Sequence, residues 1–453
     1  MAGETTIKNH LQLEVTNKQI LGIALPIGLA ILIPQLNFIT NNIFLGHYSS
    51  QSLALASVTG VYYLIFAAIG FGLNNGLQAL IARRAGENRP EEIGKIFNQG
   101  IFIAIGIACI GVLTTWFVMP AVFRKFITNE NELQQCITFL NIRIWGLFFL
   151  YIYQMRNALL VGTNNSRLLL FGTLAEALSN VFFDYVLIFG KMGFPELGFN
   201  GAAVASVIAE FIGMFVIFLV IKQQGIAKEF SLFKDFHFNK ELFTLILSFS
   251  APLIFQHAVS IISWEFFYLL IVKHGEMALG ISNIMRNVFG FFGSFVWAMA
   301  ATSSTMVSNI IGQNKQDQVF PLIKKLIRIN LTVMVTVSAL INLFPVLFLS
   351  IYGQSDEFVA NAIPVLRVVS LALILMSVST VFLNAVTGTG NSRVTLFIEL
   401  FTIIFYLIYV YVVLDYFFLS ITYGWMSEWV YWIGMFIPAF IYLRSGKWKG
   451  KKI

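Results

Sequence analysis

The chain has 453 residues, of which 58% are hydrophobic, 15% aromatic and 11% charged, with 29 Lys and Arg against 22 Asp and Glu. Soluble proteins carry about 25% charged residues; 11% cannot coat a water-facing surface of this size, so a soluble enzyme is excluded. Apolar runs longer than about 18 residues recur along the chain and define a polytopic membrane protein.

In chain order, the runs predict twelve spanning helices at 20–45, 52–81, 95–119, 133–160, 168–190, 200–221, 242–272, 277–311, 321–350, 358–387, 394–415 and 427–444. Spans of a β-barrel would be about ten residues long and alternate in polarity, so the expected fold is all-α. Cytoplasmic loops retain Lys and Arg. Lys8 and Lys18, the cluster Arg83, Arg84, Arg89 and Lys95, the run from Lys222 to Lys240, and Arg444 through Lys452 all fall on one side. The other side has only Arg124, Lys125, Lys191 and Lys273. Both termini are therefore expected in the cytoplasm, and the formal charge of +7 is read as a topology signal rather than a nucleic-acid footprint.

Similar segments recur at one constant offset, close to half the chain. Pro26 maps onto Pro252, Gly86 and Asn88 onto Gly312 and Asn314, and Asn165-Ser166-Arg167 onto Asn391-Ser392-Arg393. Six helices are an even number, so the second copy enters from the same side as the first. Two parallel, pseudo-symmetric six-helix lobes, 1–229 and 230–453, are expected around a central cleft, the arrangement from which rocking carriers are built. Duplication also yields channels and structural membrane subunits, and these stay open as alternatives. No G-x-x-x-x-G-K-[ST] loop occurs, so the chain supplies no nucleotide motor of its own.

Charges at membrane depth are costly and mark functional candidates. In the fifth segment Glu176, Asn180 and Asp184 stand four apart and stack on one helical face. Asp184 can exchange a proton, or it can join the Asn180 carbonyl in the hard oxygen site that an alkali cation such as Na+ prefers; an interhelical hydrogen-bond ladder is the plainer reading. In the seventh segment Gln256, Trp264, Glu265 and Tyr268 combine aromatic faces with an acid, which suits an organic cation, although interfacial aromatic residues follow the same pattern. Tyr151, Gln154 and Asn157 on the fourth segment and Gln35 on the first are further cleft candidates. Arg143 is expected to pair internally with Glu210 or Glu176. Pro26 permits a gating bend.

The segments ALPIGLAILIPQLNFITNNIFLGHY, LIARRAGENRPEEIGKIFNQG and VGTNNSRLLLFGTLAEALSNVFFDYVLIFGKMGFPELGFNGAAVAS, with MVSNIIGQNKQDQV and GTGNSR, resemble the multidrug and toxic compound extrusion (MATE) family over nearly the whole chain. The resemblance implies an antiporter of the bacterial inner membrane. It would export cationic or amphipathic organic compounds in exchange for H+ or Na+, with no other cofactor and as a monomer. It also implies that Asn180 and Asp184 form the N-x-x-x-D pair of a cation site. Where the family often reads V-D-T-x-F-x-G, this chain has Thr40-Asn41-Asn42-Ile43-Phe44-Leu45-Gly46, so Asn41 supplies an oxygen in place of an acid. A flippase for lipid-linked oligosaccharide or peptidoglycan precursors in the same superfamily is the alternative carrier. Such a protein needs a strongly basic cavity for pyrophosphate, whereas this interior has both signs.

Overall fold

A computed structural model describes residues 10–234 and 236–451; Lys8 and Lys452 lie outside them. Its spans are α1 (Asn17–Tyr48), α2 (Ser50–Gly86), α3 (Pro90–Phe117), a two-armed α4 (Glu130–Arg143 and Gly146–Gly162), α5 (Leu169–Ile188), α6 (Phe199–Gln223), α7 (Lys240–Val272), α8 (Glu276–Gly312), α9 (Val319–Leu343), α10 (Asp356–Gly388), α11 (Ser392–Tyr411) and α12 (Ser427–Arg444). Among the described residues these give eleven helices long and apolar enough to cross a membrane, and a twelfth span when the two arms of α4 count as one. The twelve-helix, all-α expectation therefore holds.

The helix ends follow from local chemistry. Side chains of Thr16, Ser49, Asn129, Asn239 and Ser355 accept hydrogen bonds from the first turns of α1, α2, α4, α7 and α10. Pro26 sits inside α1 and cannot donate to the carbonyl of Gly22. The Ser166 hydroxyl donates to that carbonyl instead, at 3.3 Å. The span expected to run unbroken over 133–160 bends by 43° between Arg143 and Gly146. There Arg143 turns inward to grip Glu210 of α6, donating Nη1 to Oε2 at 2.8 Å and Nη2 to Oε1 at 2.5 Å. Gly146 leaves room for the pair, since a Cβ at that position would meet Glu210 Oε2 and Arg143 Nη1. The span expected to reach 350 stops at Leu343, and a short helix restarts at Pro345.

The repeat is written in the backbone. Asn88 and Asn314 adopt left-handed φ values of 57° and 61°, and Asn164 and Gly390 adopt 65° and 96°. Each pair is separated by the offset of the sequence repeat. The halves meet through contacts that are reciprocal under the same shift. A Cβ on Gly86 would strike the Asn309 backbone, and one on Gly312 would strike that of Arg83. Likewise Gly72 lies against the backbone of Ile254, and a Cβ on Gly28 would lie 3.6 Å from Ala298 Cβ. A two-fold relation between the copies exchanges residues in this way.

The seam is tightest where α2 and α8 end. Gln78 Nε2 donates to Thr305 Oγ1 at 2.6 Å, Ser308 donates to the Ala79 carbonyl at 2.6 Å, and Arg83 donates to the carbonyls of Ser308 and Gly388 at 3.0 and 3.2 Å. A strap over residues 10–15 crosses this end. Asn309 accepts from the Leu13 amide and donates to the Leu11 carbonyl, Gln313 donates to the Leu13 carbonyl, and Lys325 donates to that of Val15. On the first half, Gln12 reaches the Gly86 carbonyl and His10 pairs with Glu229 at 2.8 Å.

Candidate functional site

The strongest candidate lies between α1 and α5, which pack side by side. Asp184 is 0% exposed. Its Oδ2 accepts from Asn180 Nδ2 at 3.0 Å, and Asn180 Oδ1 accepts from Asn37 Nδ2 at 2.6 Å. Both helices run in the same direction, so Asn41, one turn beyond Asn37, stands level with Asp184, one turn beyond Asn180. Among the described residues, three acceptor oxygens on these two helices are buried with no hydrogen-bond donor: Asp184 Oδ1, Asn37 Oδ1 and Asn41 Oδ1. A buried acceptor without a donor is expensive. A set of such oxygens around one carboxylate has the chemistry of a hard monovalent cation site or a protonation site.

Asn37 was not singled out from the sequence. The signal that found the α5 stripe was present in α1 too, because Asn37 and Asn41 are also four apart. Glu176, the third member of the stripe, stands away from Asp184. It abuts Gly213 of α6, where a Cβ would lie 3.0 Å from Glu176 Oε2. Its neighbours are the Arg143–Glu210 ion pair, to which the Tyr63 hydroxyl donates at 3.1 Å while the ring faces the guanidinium at 3.7 Å. The expected internal pairing of Arg143 is thus made with Glu210.

The cleft candidates divide. Gln35 is exposed and faces Gly290 of α8, a Cβ at which would be 3.7 Å from Gln35 Oε1. Tyr151 is 1% exposed and donates to the Phe66 carbonyl at 2.8 Å, which places it in the core of the first half. Gln154 is also buried there, while Asn157 is half-buried with an unpartnered Oδ1. In the second half the Arg286 guanidinium lies 5.2 Å from the Trp264 ring and 5.6 Å from the Tyr268 ring. The aromatic pair expected to receive an organic cation thus already faces an internal one. The Tyr268 hydroxyl donates to the Ser282 carbonyl at 2.9 Å. Glu265 is half-buried, and Gln256 is bonded to Glu399 of α11 at 3.3 Å.

Comparison with known proteins agrees with this architecture. The MatE family profile matches residues 26–186 and again 252–412, two stretches displaced by the same offset as the sequence repeat. The chain belongs to the MatE family, and is a multi-pass membrane transporter of that family. It is 24% identical to a probable multidrug resistance protein NorM of Thermotoga maritima, over 98% of this chain and 97% of the relative. An uncharacterized transporter YisQ of Bacillus subtilis is 22% identical over 78% of this chain and 77% of its own. Among solved structures, a MATE protein in complex with MaL6 superposes with a TM-score of 0.86 at 18% identity, covering 98% of each chain. An outward-facing multidrug resistance MATE transporter of the MOP superfamily gives 0.85 at 18% identity, covering 98% of this chain and 99% of the other.

Proposed function

We propose that this protein is a secondary active antiporter that exports cationic or amphipathic organic compounds across a bacterial inner membrane in exchange for Na+ or H+. The observation that carries the proposal is the group of donor-less oxygens of Asn37, Asn41 and Asp184 beside the Asn180–Asp184 hydrogen bond. Full-length likeness to NorM-type multidrug resistance proteins supports the cargo class. The carrier divides into lobes 1–229 and 230–453, works as a single copy and keeps both termini in the cytoplasm, where the basic loops lie. Cargo enters a cleft bordered by Gln35, Asn157 and Glu265. Cation binding at Asp184 draws α1 toward α5 about Pro26, and cargo leaves on the other side. Since a ligand moves an equilibrium only through its differential affinity for the two states, the cation must bind the arrangement that disfavours cargo.

The test is Asp184→Asn in a drug-sensitised host. The variant is expected at the same membrane abundance as the wild type and with its drug resistance lost. Full resistance in the variant removes Asp184 from the coupling.

A further inference from the structure

The second half holds a buried acid that the Asp184 centre does not use. Glu399 of α11 is 1% exposed, and among the described residues no Lys, Arg or His pairs with it. Its two oxygens are held from different helices. Gln256 of α7 donates Nε2 to Oε2 at 3.3 Å, and Tyr431 of α12 donates its hydroxyl to Oε1. The Tyr431 hydroxyl lies in turn 3.0 Å from Ser260 Oγ of α7. Ser260 is half-buried and Glu399 is enclosed, and Ser260 borders both the Tyr431 hydroxyl and the carboxyl, so the two hydroxyls lie between a more open position and a closed acid.

Donors aimed at both Glu399 oxygens fit a bare alkali cation poorly, in contrast with Asp184, whose Oδ1 has no donor among the described residues. Two hydroxyls stand beside Glu399, and a hydroxyl both donates and accepts and can pass a proton along a line. We propose that Glu399 is a proton-loading site of the second half, filled from water at Ser260 through Tyr431. In the loading step Tyr431 gives its phenolic proton to Glu399 Oε1 and takes the hydroxyl proton of Ser260. A hydronium ion restores Ser260 and leaves as water. The net change is one hydronium consumed and one carboxylate converted to a carboxylic acid; the reverse sequence unloads it.

The surroundings suit one titrating group. From α7, Glu399 meets Gln256 and Ser260, which do not titrate, while the adjacent His257 is turned to Asn75 of α2 at 3.1 Å. From α12 it meets Tyr431, with Glu428 one turn earlier; among the described residues α10 presents it no charged group. Glu428, 5% exposed, is bordered by Trp264, Trp432 and Tyr406. Tyr406 borders the Ser427 hydroxyl, and the indoles of Trp432 and Trp264 stand beside the Glu428 carboxyl. Indole groups border Glu428, whereas Glu399 is the acid that ends the line of hydroxyls.

This deepens the antiport reading and rests on it for its purpose in transport, but its test needs no cargo. Infrared difference spectra of the full chain in lipid vesicles, recorded after a jump from alkaline to acidic buffer, report newly protonated carboxyls. The wild type is expected to show a carboxylic-acid band that is absent in Glu399→Gln and retained in Asp184→Asn. Tyr431→Phe and Ser260→Ala keep the acid, so the band should reach its full height about tenfold more slowly. An unchanged band in Glu399→Gln, or unchanged rates in both relay variants, overturns the proposal. Resistance that survives Asp184→Asn sinks the Asp184 coupling and leaves this result standing.

Discussion

At the scale of single residues, the candidate cation site is two helices offering oxygens at the same level. The α5 half of it was legible, because a four-residue spacing of Glu176, Asn180 and Asp184 needs only helical geometry. The α1 half was legible only in part. Asn41 came from motif likeness, whereas Asn37, which makes the direct bond to Asn180, went unnoticed because a neutral amide in an apolar helix looks unremarkable without its partner. The same limit explains Trp264 and Tyr268, since spacing along α7 does not reveal that Arg286 of α8 faces both rings. Tyr151 carries a prediction. Its hydroxyl satisfies the Phe66 carbonyl inside the first half, so Tyr151→Phe should lower stability by about 1 kcal/mol and leave transport unchanged. Thermal unfolding in detergent, beside an efflux assay, checks this; lost efflux with unchanged stability would return Tyr151 to the cleft.

Elements were read well where hydrophobic length decides them and poorly where a single polar contact does. A span count sees that residues 130–162 are long enough to cross a bilayer, but not that the Arg143–Glu210 pair and Gly146 bend them by 43°. The strap over residues 10–15 was hidden as well, because a polar stretch before the first helix resembles a free terminus. Leu11 and Leu13 are each 3% exposed, and Asn309 holds both main-chain partners. Asn309→Ala deletes bonds to Leu11, Leu13 and the Ala82 carbonyl. A loss of about 2 kcal/mol is expected from buried hydrogen bonds of ordinary strength. Hydrogen exchange at residues 11–15 should rise selectively in this variant; protection equal to the wild type would show that the strap is held by other contacts.

Over the whole molecule, the duplication visible as a constant half-chain offset reappears as paired left-handed turns, reciprocal glycine contacts and two matches to one family profile. Where the halves touch was not readable, because close approach depends on which glycines face each other. Gly86 and Gly312 both sit against main chain, which cannot move aside as a side chain can. Gly312→Val should therefore part the lobes at the strap end. Spin labels on either side of that seam should show a longer distance by pulsed resonance, and an unchanged distance would mean that the seam yields elsewhere. The most direct test of cation-coupled export is ethidium movement in proteoliposomes under an imposed Na+ or pH gradient. Uphill movement is predicted that stops when the gradients are collapsed by ionophores and is absent in Asp184→Asn. Movement that persists without any gradient, or that only equilibrates ethidium, would contradict the antiport account.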